Sequence, residues 1–168
     1  VQLDLPVDLD TGRYVYAGLL AVGIAGQYVG GRLSDRDDAE RILAGALAVL
    51  AGVAVVFLPV AGRGTAALLV VSAGLGFFLF LVQPLYQATV ADYTPPDARG
   101  LSYGYTYLAI FGVGALGAAL AGGLLHVAGP PLLFGVLAGL ALAGAGLGAW
   151  LAVRRARPHG HPEEARSR

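Results

Sequence analysis

The chain has 168 residues, 57% hydrophobic and only 13% charged, and its eleven acidic and eleven basic residues cancel. Soluble domains carry about 25% charged residues, and a neutral balance gives no electrostatic footprint for a nucleic-acid partner. The absence of cysteine excludes disulfides and thiol chemistry.

Charges fall at residues 4–13, 32–41, 63, 92–99 and 154–168, and the stretches between them contain no Asp, Glu, Lys or Arg. A helix needs roughly 20 apolar residues to cross ~30 Å of hydrocarbon. Taken in order, residues 1–13, with Pro6 and three aspartates, are expected to be the stub of an external loop. Residues 14–31 make a first span of minimum length, followed by a short charged link. Longer spans are expected at 42–62, 65–91, 101–128 and 131–153, joined by tight turns at 61–64 and 129–130 and by the loop 92–100. The tail 154–168 is polar and rich in Pro and Gly, and is expected to be disordered. The expected fold class is an all-α polytopic transmembrane helix bundle with five spans.

Every basic residue is an arginine. Numbering the connections alternately places Arg32, Arg36, Arg41, Arg99 and the five tail arginines on one side, and only Arg13 and Arg63 on the other. Short loops rich in Lys and Arg stay inside, so the link 32–41, the loop 92–100 and the C-terminus are expected in the cytoplasm, with the protein in the plasma membrane. The chain starts at Val1 and contains no methionine. It is therefore expected to be a fragment, preceded by further helices.

Two short patterns are more specific. Gly31-x-Leu33-x-Asp35-Arg36 resembles the loop motif G-x-L-a-D-r-x-G-r-r of the major facilitator superfamily, which links the second and third helices and, in weaker form, the eighth and ninth. The second half departs from it: Asp38 stands at the second glycine, and Ala39 and Glu40 replace the basic pair, leaving Arg41. Pro95-Pro96-Asp97-Ala98-Arg99-Gly100-x-x-x-Gly104 resembles the family's loop into its eleventh helix. The resemblance implies that 14–153 are helices eight to twelve of a twelve-helix transporter, which carries a small solute by alternating access together with a missing N-terminal half. It also implies that Gly31, Asp35 and Arg36 form a gating motif against that half, and that the helix opening at Arg99 and Gly100 receives the half's own aspartate. Read without the family, the arginines serve equally as topology anchors.

The segments 42–62 and 131–153 contain no Ser, Thr, Asn or Gln, whereas 65–91 holds Ser72, Gln83, Gln87 and Thr89, and the next span holds Ser102 and Thr106. Polar groups are costly in hydrocarbon unless they face protein or water, so the polar segments are expected to be interior. Gln83, Tyr86 and Gln87 fall at i, i+3 and i+4, on one helix face. Pro84 among them frees a carbonyl and favours a kink. With Tyr107 and Gln27 they are the candidates for a substrate cavity; interhelical hydrogen bonding is the plainer alternative. Gly112, Gly114, Gly117, Gly122 and Gly123 are expected to give the fourth span a thin face for close packing.

No carboxylate lies within a span, and His126 is the one histidine that does, near the outer end. Without lysine there is no nucleotide-binding loop, and no cofactor is expected. His159 and His161 in the tail are not read as a metal site. Two competing readings remain: a non-transporting membrane scaffold, and a helical membrane enzyme of prenyl- or phosphatidyltransferase type. The enzyme would use the acidic clusters Asp35, Asp37, Asp38, Glu40 and Asp92, Asp97 to hold magnesium. Three arginines interleave the first cluster, and neither spacing resembles those enzymes, so enzymatic activity is not expected.

Overall fold

The computed structural model describes residues 11–156, and every regular element among them is helical. The expected stub up to Asp10 and the tail from Arg157, with its two histidines, lie outside the described residues. The elements are α1 (Thr11–Ser34), α2 (Ala39–Ala61), α3 (Thr65–Asp92), a single 3-10 turn (Pro96–Ala98) and α4 (Arg99–Arg155). α1 runs three residues past the expected end of its span at Gly31, and the Ser34 hydroxyl donates to the Gly31 carbonyl at 2.7 Å.

The links follow from local chemistry. Asp38 stands at the N-cap of α2 without a side-chain cap bond, while its carbonyl accepts the backbone N–H of Arg41 at 2.9 Å. Between α2 and α3, Gly64 takes φ 130°, a region open to glycine and closed to most side chains. Pro95 and Pro96 then separate α3 from α4, since neither ring can continue a helix behind it.

Three helical stretches are long and apolar enough to cross a membrane: Ala39–Ala61, Thr65–Asp92 and the 60 residues Pro96–Arg155. The third is not one rod. Gly129 breaks the helical dihedrals with φ 72° and ψ −173°, and Pro130 and Pro131 follow it. A straight helix of 57 residues would be about 86 Å long. Yet Tyr103 near the start of α4 reaches Gln87 of α3, and Arg155 at its end reaches Asp92 of α3. Both ends of α4 thus meet the same end of α3, so the helix folds back at Gly129 into an arm, 99–128, and a return arm, 130–155.

Two helix pairs result. α2 and the return arm pack antiparallel, with Gly148 against Ala44 and the Glu40 carbonyl, Gly144 against Leu47, and Phe57 stacked on Phe134 with ring centroids 4.5 Å apart. α1 and α3 pack in parallel, with Gly26 against Phe77 and Leu81 and Gly30 against Leu81 and Pro84. A β-carbon on Gly26 would lie 2.3 Å from the Phe77 carbonyl oxygen, and one on Gly30 2.4 Å from that of Leu81. Small residues let membrane helices approach this closely, and the gain is van der Waals contact along the backbone. The pairs meet where Leu43 and Ala46 of α2 pack on Leu81 and Leu85 of α3.

Burial within the chain does not follow polarity as expected. α2, apolar beyond Glu40 and Arg41 in its first turn, holds half of the buried side chains, and the arm 99–128, with its serine, threonine and tyrosines, is exposed along nearly all of its length. Its glycines at 112, 114, 117, 122 and 123 meet no neighbour among the described residues, whereas Gly23, Gly26 and Gly30 of α1 do. Polarity reports whether a helix borders protein or water in a whole assembly. Burial here reports only the neighbours present in this chain.

Candidate functional site

One end of the bundle carries nearly all the described charge: the α1–α2 link, the first turn of α2, the last turn of α3 and both ends of α4. Its centre is Arg155. The face of the return arm that carries Gly144, Gly148 and buried Ala152 continues, one turn on, to this arginine, and the same packing brings the first turn of α2 beneath it. Its Nη1 donates to Glu40 Oε2 at 3.0 Å and to Asp92 Oδ2 at 3.3 Å. A guanidinium does not lose its proton in proteins, so both contacts are ion pairs.

The two acids sit differently. The Glu40 side chain is 3% exposed and that of Asp92 43%. A buried carboxylate needs its cation, because its desolvation is otherwise unrepaid. An exposed acid loses little by returning to water. Sequence reasoning missed this cluster, placing Glu40 in an acidic run and Arg155 in a polar tail. The signal was present: an acid standing where the loop motif has a base requires a cation from elsewhere.

The expected gating residues lie around this centre. Asp35 and Arg36 are exposed in the link, and neither pairs with another described side chain. The Arg36 backbone N–H donates to the Leu33 carbonyl at 3.3 Å. Gly31 is half-buried with no atom near its missing β-carbon, and Arg99 and Gly100 are exposed in the first turn of α4. Two arginines lie over an aromatic ring one turn earlier, Arg32 at 5.2 Å from Tyr28 and Arg154 at 4.1 Å from Trp150, an arrangement that keeps the cation at the edge of an apolar face.

Deeper in, the structure brings together two of the cavity candidates and separates the others. Gln27 of α1 donates from Nε2 to Oε1 of Gln83 on α3 at 3.2 Å. Tyr86 instead packs against the Leu43–Leu85 core toward α2. α3 is wedged between two helices, so residues three apart, about 60° apart around its axis, turn to different neighbours. The backbone carbonyl of Gln87 accepts the Tyr103 hydroxyl at 3.4 Å, which ties the base of the arm to α3. Tyr107 is exposed on the arm, its ring stacked near Phe111 at 6.1 Å.

Two cavities lined by described residues are apolar and open. One of about 360 Å³ lies between Leu20, Phe57, Leu75 and Phe80 with Ser72 as its polar group. The other, about 470 Å³, lies between Pro59, Pro131 and Phe134. Neither includes a candidate residue. No group of three His, Asp or Glu suited to a metal occurs among the described residues, and the acidic clusters of the enzyme reading are joined across Arg155 rather than arranged around a shared vacancy. The sequence model of a family described as Major Facilitator Superfamily matches residues 3–168. No curated protein and no solved structure matches the chain.

Proposed function

The chain belongs to the Major Facilitator Superfamily of membrane transporters, and we propose that it supplies helices eight to twelve of a twelve-helix carrier that moves a small solute by alternating access. The observation that carries this reading is the Gln27–Gln83 bond. The two residues lie seven and nine positions before the ends of α1 and α3, roughly 10–14 Å inside the charged end. Gln27 is exposed and Gln83 half-buried, and their mutual bond leaves amide N–H and carbonyl positions without a partner from the pair itself. Hydrocarbon cannot satisfy these groups, so this face borders water or protein. With Gln87, one turn on along the same face of α3, it supplies the polar lining that a solute path requires, whereas Tyr86 packs in the core toward α2 and Tyr107 is exposed on the arm.

The fold-back at Gly129 supports five crossings, α1 included, with the arginine-rich end in the cytoplasm of a plasma-membrane protein. Asp35 and Arg36 in the link, beside Gly31, are exposed where an upstream half would meet them. Arg99 and Gly100 present the start of α4, whose unsatisfied N–H groups favour an acid. The enzyme alternative loses its acidic pair to Arg155. The test is labelling of Gln83→Cys in the complete protein, in sealed vesicles, with a membrane-impermeant maleimide. Alternating access requires reaction from either side without an ionic leak. Reaction from neither side would remove Gln83 from the path, and reaction from one side alone would argue against a carrier.

A further inference from the structure

At the end of the bundle opposite Arg155, Arg63 follows the last turn of α2 and is exposed. It pairs with no acid among the described residues. An arginine at the external end works against the bias that orients a membrane protein, so α2 would be oriented more firmly without it. The Arg63 backbone N–H donates to the Val60 carbonyl at 3.0 Å, which keeps the residue close to the helical path, one turn beyond Pro59. Beneath it lies the larger of the two cavities, about 470 Å³, lined by Val55, Leu58 and Pro59 of α2 and by Pro131 and Phe134 of the return arm. At 1.5 Å per residue, Pro59 and Val55 stand ~6 Å and ~12 Å below Arg63. That is the depth of the acyl chains in a single leaflet, half of a ~30 Å hydrocarbon core. Val55 is 62% exposed, so the cavity is a groove on the outside of this chain. Gly135 also lines it, and a β-carbon there would meet nothing within 4 Å.

We propose that the groove and Arg63 together bind one phospholipid of net negative charge from the external leaflet, with an acyl chain in the groove and the headgroup phosphate at Arg63. Charge and polarity choose this occupant. The segments 42–62 and 131–153 hold no Ser, Thr, Asn or Gln, so a polar solute finds no hydrogen-bonding side chain in the groove, whereas an acyl chain needs none. A guanidinium presents N–H donors in a fork that fits phosphate oxygens. At the membrane boundary it keeps its stem on apolar surface and its head in water. A zwitterionic headgroup brings a cation of its own to compete for the same phosphate, so a net negative lipid is preferred. A second copy of the chain on the same face, related by a two-fold axis along the membrane normal, would bring two Arg63 side chains toward each other, like charge against like. The site requires only that α2 and the return arm cross a membrane, and it is independent of the solute path.

Native mass spectrometry of the complete protein tests the site. The protein is released from micelles titrated with phosphatidylglycerol or with phosphatidylcholine of the same acyl chains, and the retained lipids are counted. Arg63→Gln is expected to weaken phosphatidylglycerol retention about tenfold, the lower end for a hydrogen bond to a charged group, and to leave phosphatidylcholine unaffected. Gly135→Leu fills the groove and is expected to weaken both lipids, by about fourfold for each methylene displaced. Neither variant should lower the lipid-free thermal midpoint, since Arg63 is exposed and the space at Gly135 is open. Phosphatidylglycerol held at the arginine-rich end is common to parent and variants and cancels in the comparison. Unchanged phosphatidylglycerol retention in Arg63→Gln would overturn the headgroup site, and unchanged retention in Gly135→Leu would overturn the groove. Displacement of the lipid by an equal concentration of inorganic phosphate would make Arg63 a simple ion site and sink the lipid. Loss of a dimer, rather than of a lipid, in Gly135→Leu would give the groove to a second copy of the chain.

Discussion

Gly26 of α1 and Phe77 of α3 meet backbone to backbone: a β-carbon on Gly26 would come within 2.3 Å of the Phe77 carbonyl oxygen. That oxygen cannot yield as a flexible side chain would, so Gly26→Ala forces the helices apart. The expected loss is about 1–3 kcal/mol, the usual cost of overpacking, with Gly30→Ala similar because it faces the Leu81 carbonyl at 2.4 Å. Gly148→Ala meets Ala44 at 3.2 Å, a contact relieved by a few tenths of an ångström, and should cost less. Gly45→Ala, with open space around it, should cost nothing or gain up to about 1 kcal/mol of helix propensity. Thermal unfolding in detergent ranks the four. Equal midpoints for Gly26→Ala and Gly45→Ala would mean that α1 and α3 do not pack in this register.

The hairpins were legible because charge and turn residues punctuate the sequence: Arg32 to Arg41, Gly62 to Gly64 and Pro95-Pro96 each separate long apolar runs. Which glycines make contacts was not legible. Gly23, Gly26 and Gly30, like Gly112, Gly114 and Gly117, stand in apolar helical runs, and the first set meets a neighbouring helix while the second meets none among the described residues. Gln83 and Tyr86 stand at helical spacing, but α3 lies between two helices and the stripe divides between them. Arg155 and Glu40 are 115 residues apart, and local pattern carries no information at that range.

Gly129 is expected to tolerate no side chain. Its φ of 72° and ψ of −173° belong to a region used almost solely by glycine. Gly129→Ala should cost about 1–3 kcal/mol. Pro130→Ala should be nearly silent, because proline opening a helix gives up no bond that the backbone would otherwise make. A midpoint unchanged by Gly129→Ala would argue that α4 does not fold back there.

Asp35 is exposed in the link and pairs with no described side chain, so its loss should not weaken this bundle. If it meets the upstream half, Asp35→Asn should slow solute flux about ten- to a hundredfold, the worth of a charge-assisted hydrogen bond, with the amount inserted in the membrane unchanged. Flux per inserted molecule equal to that of the parent would reduce the motif to a topology anchor.

The Gln27–Gln83 bond separates glue from lining through two readouts that move in opposite directions. A hydrogen bond that only fastens α1 to α3 would be worth about 0.6 kcal/mol, and its removal would lower stability while leaving transport alone. A pair bordering a watered path would lose little stability, since water replaces the missing partner, but would change how the solute is held. Gln83→Ala, Gln27→Ala and the double variant form a cycle whose coupling energy should fall below about 0.5 kcal/mol in unfolding while each single variant alters flux or apparent affinity. Gln87→Ala should act in the same direction. Val55→Ala in the apolar α2 should leave transport unchanged, because that helix carries no polar side chain beyond its charged first turn. Strong coupling in unfolding with unaltered flux would assign the pair to packing, and would leave the polar path to the helices of the other half.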